Sequence, residues 1–304
     1  MEQFTLYVKA HGSDRKSCRL GKLFDPHILV SSISLDYELH FIVITKACST
    51  NGAFSEGSDM YRNQPLPMLL LPGLMNDQRV WETIRHALSA DRFVAVAETH
   101  TANNVAALAV SALSLMPSGP FAVAGFSLGG YVAMEVCRQA QQRIAGVALL
   151  DTGARADSEE MKESRRRMVT ALGSATASFT QVANGFAARI IHPSHSQDAK
   201  LLELLGDMAR NVGSEGFARQ QTAAINRPDS RQILGELRCP ALVVCGREDQ
   251  VTPPSLSEEM SSLLSGDVEL VIISECGHMS TLEQPAAVLE AFNRWAARVD
   301  AARF

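Results

Sequence analysis

One serine in this 304-residue chain stands in a setting that can make it a nucleophile. Ser127 is the centre of the hexapeptide GFSLGG at positions 125–130, which matches the pattern G-x-S-x-G. An apolar run, Phe121–Ala124, precedes the hexapeptide, and a helical pattern, Tyr131–Ala140, follows it. Small residues beside the serine let a strand and a helix approach closely, and the hydroxyl then lies at a helix N-terminus that favours negative charge. An incidental serine in a glycine-rich turn is the alternative, but the flanking pattern favours catalysis.

A serine hydroxyl needs a base to take its proton, and a histidine is the expected base. Eight histidines are candidates. We favour His278, because it follows the last predicted strand, Val268–Ile273, and precedes the final helix, with Gly277 permitting a sharp turn. His100 is the alternative, since it also follows a predicted strand.

A carboxylate is needed to orient the histidine, and in the chain order Ser…Asp…His it lies between the other two. Two aspartates in that interval follow predicted strands: Asp249 follows Ala241–Cys245, and Asp151 follows Ile144–Leu150. We favour Asp249, because its strand–glycine–loop setting lies one strand before the histidine. Glu248 is expected to be solvated or salt-bridged.

Backbone N–H groups are the expected donors to an oxyanion formed beside Ser127. One is the N–H of Leu128, directly after the serine. The other is predicted in the turn PGLMN at positions 72–76, where Gly73 lets the backbone approach a substrate and Leu74 carries the donor. The predicted substrate contacts are Gly73, Met75 and Met279. No metal site is predicted.

Apolar runs alternate with helical patterns from residue 66 onward. Strands that are apolar throughout and separated by helices indicate a parallel sheet covered on both faces, an α/β doubly wound layout. Its ligand site is expected at the carboxyl ends of the strands. The predicted strands are Met68–Leu71, Phe93–Ala97, Phe121–Phe126, Ile144–Leu150, Ala241–Cys245 and Val268–Ile273.

The alternation stops between about residues 155 and 237, where only helical patterns occur, at 158–172, 176–190, 198–212 and 215–225. We interpret this stretch as a cap over the sheet that selects the substrate. Its run of three arginines, Arg165–Arg167, is best explained as a solvated helix face, with a carboxylate- or phosphate-binding patch as the alternative.

The predicted organisation has three parts. Residues 1–65 form an N-terminal extension or an edge hairpin with two strands within Ile28–Ile44, and both interpretations stay open. Residues 66–153 and 238–304 form the core, and residues 154–237 form the cap.

Composition excludes several classes of partner. The net charge is −5, which argues against nucleic acid and anionic membranes. The six cysteines contain no C-x-x-C pair, and no apolar run is long enough to cross a bilayer. The first residues lack the basic-then-apolar layout of a secretory signal. We expect a cytoplasmic monomer or homodimer that acts on a small molecule.

From about Leu66 to Ala297 the chain resembles the α/β-hydrolase superfamily, in particular its small bacterial esterase-like members. The resemblance rests on LLPGLMND at 70–77 with Trp81, on GFSLGG, on residues 240–254, and on CGHMSTLEQP at 276–285. It implies a mostly parallel eight-stranded sheet, a cap after the sixth strand and no cofactor. It also implies a catalytic triad of Ser127, Asp249 and His278. The implied oxyanion hole is at Leu74 and Leu128.

Two segments depart from the family pattern. Pro72-Gly73 stands where many members have His-Gly. Because the missing histidine is not a triad residue, the oxyanion hole should be retained. The segment ETHTANN at 98–104 replaces a common Asp-x-x-Gly-x-Gly-x-Ser and alters one pocket wall.

The resemblance favours a hydrolase of carboxylic esters with small to medium acyl groups. A C–C bond hydrolase of ring-cleavage dienoates, a lactonase and a cofactor-free perhydrolase are alternatives with the same triad. Ser127 argues against relatives that use an aspartate nucleophile. A non-catalytic ligand receptor is the least favoured, because no triad member is missing.

Overall fold

A computed structural model describes residues 64–173 and 178–302, together with two short strands at residues 28–32 and 42–46. The chain divides into two units, one ending at Asn63 and the other beginning at Gln64. In the first unit, β1 (Ile28–Ser32) and β2 (Ile42–Lys46) pair antiparallel, with Val30 opposite Ile44. The other predictions for the first 63 residues, and the helix start predicted at residue 176, lie outside the described residues.

The second unit contains one sheet of six parallel strands. In the described residues the strand order is β4-β3-β5-β6-β7-β8, so this sheet has six strands where the resemblance implied eight. The strands are β3 (Met68–Leu71), β4 (Val94–Val96), β5 (Phe121–Phe126), β6 (Ile144–Leu150), β7 (Ala241–Gly246) and β8 (Val268–Ile273).

The direction of winding reverses between β3 and β5. The chain leaves β3 for one edge strand, β4, and then returns to β5 on the other side. In doubly wound sheets, ligands bind at such a reversal, beyond the carboxyl ends of the strands. The turn that begins at Pro72 follows β3, and Ser127 follows β5, so both predicted site segments flank this point.

Ten α-helices accompany the strands in the described part of the second unit. They are α1 (Glu82–Leu88), α2 (Val105–Leu113), α3 (Leu128–Gln139), α4 (Glu159–Gly173), α5 (Phe179–Ile190), α6 (Ala199–Ile225), α7 (Arg231–Glu236), α8 (Pro254–Leu263), α9 (Ser280–Glu283) and α10 (Pro285–Ala301). None of these described helices combines the length and apolarity needed to cross a membrane.

Side chains that alternate along the strands fill two apolar layers, one on each face of the sheet. On β3, Met68 and Leu70 belong to the layer that contains the aromatic side chains Trp81, Phe292 and Trp295. Leu69 and Leu71 belong to the opposite layer, with buried residues of α2 and α3. Burial on both faces explains why the central strands β3, β5, β6 and β7 are apolar throughout, whereas the edge strand β8 contains Glu269.

Between β6 and β7 the described residues form helices joined by loops, with no strand, and the α-helices are α4 to α7. Ser178 begins α5 with a capping box, in which its hydroxyl accepts from the N–H of Gln181 and the Gln181 side chain accepts in return. Within α6 the backbone kinks at Gly213, whose φ of 71° favours glycine. The sequence pattern had a break at the same place, between residues 212 and 215.

Candidate active site

Ser127 alone makes the turn between β5 and α3. Its φ is 52° and its ψ is −118°, a conformation that costs a non-glycine residue about 1–3 kcal/mol. A Cβ atom on Gly125 would collide with the Gly129 backbone, and one on Gly129 would collide with the carbonyl oxygen of Leu71. Any side chain at these two positions would clash with neighbouring backbone, so the motif requires glycine there. The turn holds the serine at the end of the strand.

Neighbouring strands fix the backbone of this turn. The N–H of Ser127 donates to the carbonyl of Leu150 at 2.9 Å, and the hydroxyl of Thr152 donates to the carbonyl of Ser127 at 2.8 Å. Both partners lie at or just beyond the end of β6. The strained serine is thus supported by the adjacent strand.

The structure brings Ser127, His278 and Asp249 together. Nε2 of His278 lies 2.9 Å from Oγ of Ser127, and Nδ1 lies 2.8 Å from Oδ2 of Asp249. The imidazole side chain is 3% exposed, and the Asp249 side chain is fully buried. Because the carboxylate can only accept at Nδ1, we place the imidazole proton there, which leaves Nε2 free to accept the serine proton.

Asp249 receives several further hydrogen bonds. The N–H groups of Val251 and Thr252 donate to Oδ1 at 2.8 and 3.0 Å, and the Thr252 hydroxyl donates to Oδ2 at 2.7 Å. Burial acts to raise the pKa of Asp249, but the charge and hydrogen bond of His278, with the Thr252 bonds, bring it below its ordinary value. Asp249 is therefore ionised when it faces the imidazole.

The charge of Asp249 also acts on the histidine. Burial acts to lower the pKa of His278, but the charge and hydrogen bond of Asp249 outweigh it, so the pKa lies above the ordinary 6.5. The raised pKa strengthens His278 as a base for the serine proton.

Asp151, the alternative acid, lies in a different network. Its Oδ1 accepts from the N–H of Gly246 at 3.0 Å, and its Oδ2 is bonded by the hydroxyl of Ser280. Burial, together with the charge of Asp249, raises the pKa of Asp151 to about 8. The structure thus places Asp249 against the imidazole and leaves Asp151 as a fully buried carboxyl behind it.

Asp151, Cys245 and Asp249 each place one possible metal-ligand atom within 4.8 Å of the others. The carboxylate oxygens already accept the hydrogen bonds given above, and burial raises the pKa of the Cys245 thiol. A thiol kept protonated is a poor ligand. The chemistry of these donors fits a hydrogen-bonded network better than a metal site.

Two backbone N–H groups beside the serine are free to donate. Leu128 provides the first N–H of α3, and Leu74 lies in the turn after β3. Met75 and Asn76 donate their N–H groups to the side chain of Gln220 and to the carbonyl of Gly73. Among the described residues, neither Leu74 nor Leu128 has an acceptor for its N–H, so both predicted oxyanion donors stay available.

Gln220 holds this turn, and sequence reasoning missed it. From α6 its Oε1 accepts from the N–H of Met75 at 3.0 Å. Its Nε2 donates to the carbonyl of Gly73 at 3.3 Å and to the hydroxyl of Thr99 at 3.2 Å. The side chain is fully buried. An amide on the buried face of a helix was the available signal, but nothing in the sequence identified its partner.

Glu283 was also missed, and it links the His278 loop to the helical stretch. Its Oε1 accepts from the N–H of Met279 at 2.9 Å. Its Oε2 accepts from the N–H of His192 at 2.6 Å and lies 2.9 Å from Nδ1 of His195. In addition, the N–H of His278 donates to the carbonyl of Ile190, the last residue of α5, at 2.7 Å.

A cavity of about 250 Å³ opens at Ser127. We call two groups of its lining residues the strand side and the helical side. The strand side consists of Leu74, Ser127, Leu128, His278 and Met279. The helical side consists of Met161, Ser164, Arg165, Met168, Phe186, Arg189, Ile190 and Gln221. Most of the lining is apolar, as is typical of a site for a small organic ligand.

The predicted substrate contacts differ in their placement. Met279 lines the cavity. Met75 instead packs in a small apolar cluster with helical residues that include Phe217, because its N–H is drawn toward Gln220. Gly73 is not among the described lining residues, and its Cβ position is filled by Asn76 and Phe126.

His100 and Glu248, the other two residues considered from the sequence, lie away from the triad candidates or support their loop. His100 lines a separate, more polar cavity of about 480 Å³ that contains none of the three triad candidates. Glu248, expected to be solvated or salt-bridged, accepts from the N–H of Cys276 at 3.0 Å and so supports the loop that carries His278.

The parallel sheet, its order and the serine turn are those of an α/β-hydrolase. Within that superfamily, the sequence profile of the thioesterase domain matches residues 71–296. The chain therefore belongs to the thioesterase-domain family.

Esterases and a lactonase are among the proteins that the chain is similar to. A pimeloyl-[acyl-carrier protein] methyl ester esterase of Neisseria meningitidis serogroup A is 25% identical over 184 residues, covering 59% of this chain and 58% of that protein. A solved thermophilic esterase from Thermogutta terrifontis, with malate bound, is 29% identical with a TM-score of 0.69 and covers 78% of this chain and 91% of that one. An enol-lactonase from Burkholderia xenovorans, 22% identical with a TM-score of 0.68, covers 77% and 92% and supports the fold. The chain thus has the α/β-hydrolase fold and is similar to proteins named as esterases.

Proposed function

We propose that this protein is a serine hydrolase that cleaves carboxylic esters of small to medium acyl groups through an acyl-enzyme. The observation that carries the proposal is the continuous hydrogen-bond chain from Asp249 through His278 to Ser127, which ends in a largely apolar cavity. The similarity to esterases supports the choice of bond.

The first half-reaction forms the acyl-enzyme. Ser127 Oγ attacks the ester carbonyl carbon while Nε2 of His278 takes the hydroxyl proton, and Asp249 stabilises the resulting imidazolium. The carbonyl oxygen becomes an oxyanion, for which the N–H groups of Leu74 and Leu128 are the proposed donors. The bond to the alcohol oxygen then breaks, and His278 returns its proton to that oxygen.

The second half-reaction releases the acid. His278 takes a proton from a water molecule, whose oxygen attacks the acyl carbon and forms a second oxyanion at the same donors. The bond to Ser127 Oγ breaks, and the imidazolium gives its proton back to the serine. The product is a carboxylic acid, and the enzyme is regenerated without a cofactor.

We further propose that α4 to α7 form a cap, residues 154–237, inserted after the sixth strand of the chain. The contribution of α4, α5 and α6 to the cavity wall supports this role. The eight-strand count and the organisation of residues 1–65 stay predictions. A cytoplasmic location also stays a proposal, with which the free thiols of Cys137, Cys239, Cys245 and Cys276 are compatible.

A labelling and turnover experiment tests the proposed reaction. A fluorophosphonate probe should label the wild type and not Ser127→Ala. A substrate panel should contain p-nitrophenyl esters of rising acyl length, an acyl thioester, a lactone and a ring-cleavage dienoate. We expect turnover of the short and medium oxygen esters. Turnover of the lactone, the thioester or the dienoate alone would reassign the bond, and a chain inert to probe and panel would favour a ligand receptor.

A further inference from the structure

The charge on the cavity wall is opposite in sign to the charge of the whole chain. The chain has 33 acidic and 28 basic residues. Among the described residues that line the cavity, two are arginines, Arg165 and Arg189, and none is an aspartate or a glutamate. A cationic wall in an acidic protein concentrates anions at that place.

Arg165 is already engaged by its neighbours. Its Nε donates to Asp157 at 2.7 Å, and its Nη1 donates to Gln221 at 2.8 Å. The buried carboxylate of Asp157 also faces Arg227 at 2.7 Å. Two guanidinium groups therefore share one carboxylate, which leaves an excess of one positive charge behind the wall. Arg227 stacks at 3.9 Å over the ring of Tyr131, which lines the cavity.

Arg189 differs, because its guanidinium has no ion pair or hydrogen bond with any described residue. The side chain is exposed and lies on the last turn of α5. The next residue, Ile190, accepts from the N–H of His278, so the end of α5 is fixed beside the catalytic loop. By contrast, Arg166 on α4 pairs with Glu163 at 3.3 Å and does not line the cavity.

We propose that the substrate carries a carboxylate on the acyl side of its ester, and that Arg189 pairs with that carboxylate. The excess positive charge of Arg165 and Arg227 over Asp157 also favours a negatively charged substrate. The substrate class is then monoesters of short dicarboxylic acids, whose size suits a cavity of about 250 Å³. This inference rests on the proposed function, because it assumes that Ser127 receives an ester.

A binding measurement tests the carboxylate site without turnover. The Ser127→Ala protein is titrated with monomethyl glutarate and with its neutral amide analogue, methyl 4-carbamoylbutanoate, by calorimetry or NMR. The two ligands have the same shape and differ in charge. We expect the acid to bind about tenfold more tightly, as for a charge-assisted hydrogen bond at a partly exposed site. The preference should shrink as salt is added.

Second-site variants identify the residue responsible. Adding Arg189→Gln to Ser127→Ala should remove the preference, and adding Arg189→Glu should reverse it. Arg167→Gln is the matched control, because Arg167 is an exposed arginine of α4 that does not line the cavity and its loss changes the net charge equally. Arg167→Gln should keep the preference.

Several results would overturn the proposal. These are equal binding of acid and amide, no measurable binding of the acid, or equal effects of Arg189→Gln and Arg167→Gln. An arginine that only stabilises the C-terminus of α5 would lower the melting temperature on substitution and weaken both ligands alike. The proposed function fails separately: if the acid binds preferentially but wild type hydrolyses neither ester, the anion site stands and ester hydrolysis does not.

Discussion

The strand side and the helical side of the cavity differ in how much freedom their side chains have. On the strand side, Ser127 occupies a strained turn that permits only glycine at Gly125 and Gly129, and His278 is bonded at both ring nitrogens. On the helical side, Met161 and Arg189 are exposed. In the proposed reaction, the catalytic residues have almost no alternatives, whereas the exposed residues proposed to select the substrate can change at little cost to the fold.

The largest expected effect comes from removing the nucleophile. Ser127→Ala should lower kcat by about 10⁶-fold, as in other serine hydrolases, because the covalent step is lost. The melting temperature should stay close to that of the wild type, since alanine keeps the Cβ atom. Ser262→Ala on the surface is the control. A variant that retains a substantial part of the activity would refute Ser127 as nucleophile.

The two buried aspartates should differ in catalytic importance. Asp249→Asn should lower kcat by about 10⁴-fold, because the amide cannot stabilise the imidazolium or hold its tautomer. Asp151→Asn should cost no more than about tenfold, since it replaces a carboxyl bonded only to neutral groups. Kinetics of both variants, with circular dichroism as a check on folding, measure the difference. Equal losses would make Asp151 a second essential acid.

Replacing a glycine by alanine should have opposite effects on stability near the serine turn and on α5. Gly129→Ala should destabilise the fold by at least about 1–3 kcal/mol, because its Cβ collides with the backbone of Leu71 and Pro72. Gly185→Ala on α5 has open space around its Cβ and should stabilise by about 0.5–1 kcal/mol. Urea unfolding measures both changes. Similar values at the two sites would contradict the difference in freedom.

The smallest expected effect is a pH dependence of kcat/KM and of stability, which arises from His278 on the strand side. Catalysis needs a neutral His278, whose pKa lies above 6.5, so kcat/KM should fall about tenfold per pH unit below that pKa. The raised pKa contributes stability that is fully present below 6.5 and is lost as the pH rises through the folded-state pKa.

A pH–rate profile and melting temperatures check these opposite trends. The inflection should move to lower pH in Asp249→Asn, which removes the negative charge, and should stay in place in Arg189→Gln. An inflection below 6.5 in the wild type would show that desolvation of His278 outweighs Asp249.

Sequence reasoning was most successful where a local pattern determines the structure. The strand–serine–helix turn, the glycine before His278 and the break near Gly213 are all visible within a few residues. The order of Asp249 and His278 after their strands then placed both at one edge of the sheet, and the structure brings them together. Their catalytic roles are still proposals for the experiments above.

Contacts between distant segments could not be predicted in this way. Gln220 binds a turn almost 150 positions earlier in the chain, and Glu283 binds residues 88 and 91 positions earlier. The charge of Arg165 looked like part of a solvated helix face until its bond to the buried Asp157 was known. The contact predicted at Met75 depended on its backbone direction, which Gln220 determines.

The hydrogen bonds of Glu283 and Ile190 make the alignment of His278 depend on the position of α5. Moving the end of α5 outward to enlarge the entrance would break the bond from the His278 N–H and strain the bonds of Glu283 to His192 and His195. The imidazole would lose its alignment at the moment the passage widened. A substrate too bulky to enter without displacing α5 would therefore meet an enzyme whose proton relay is already disconnected.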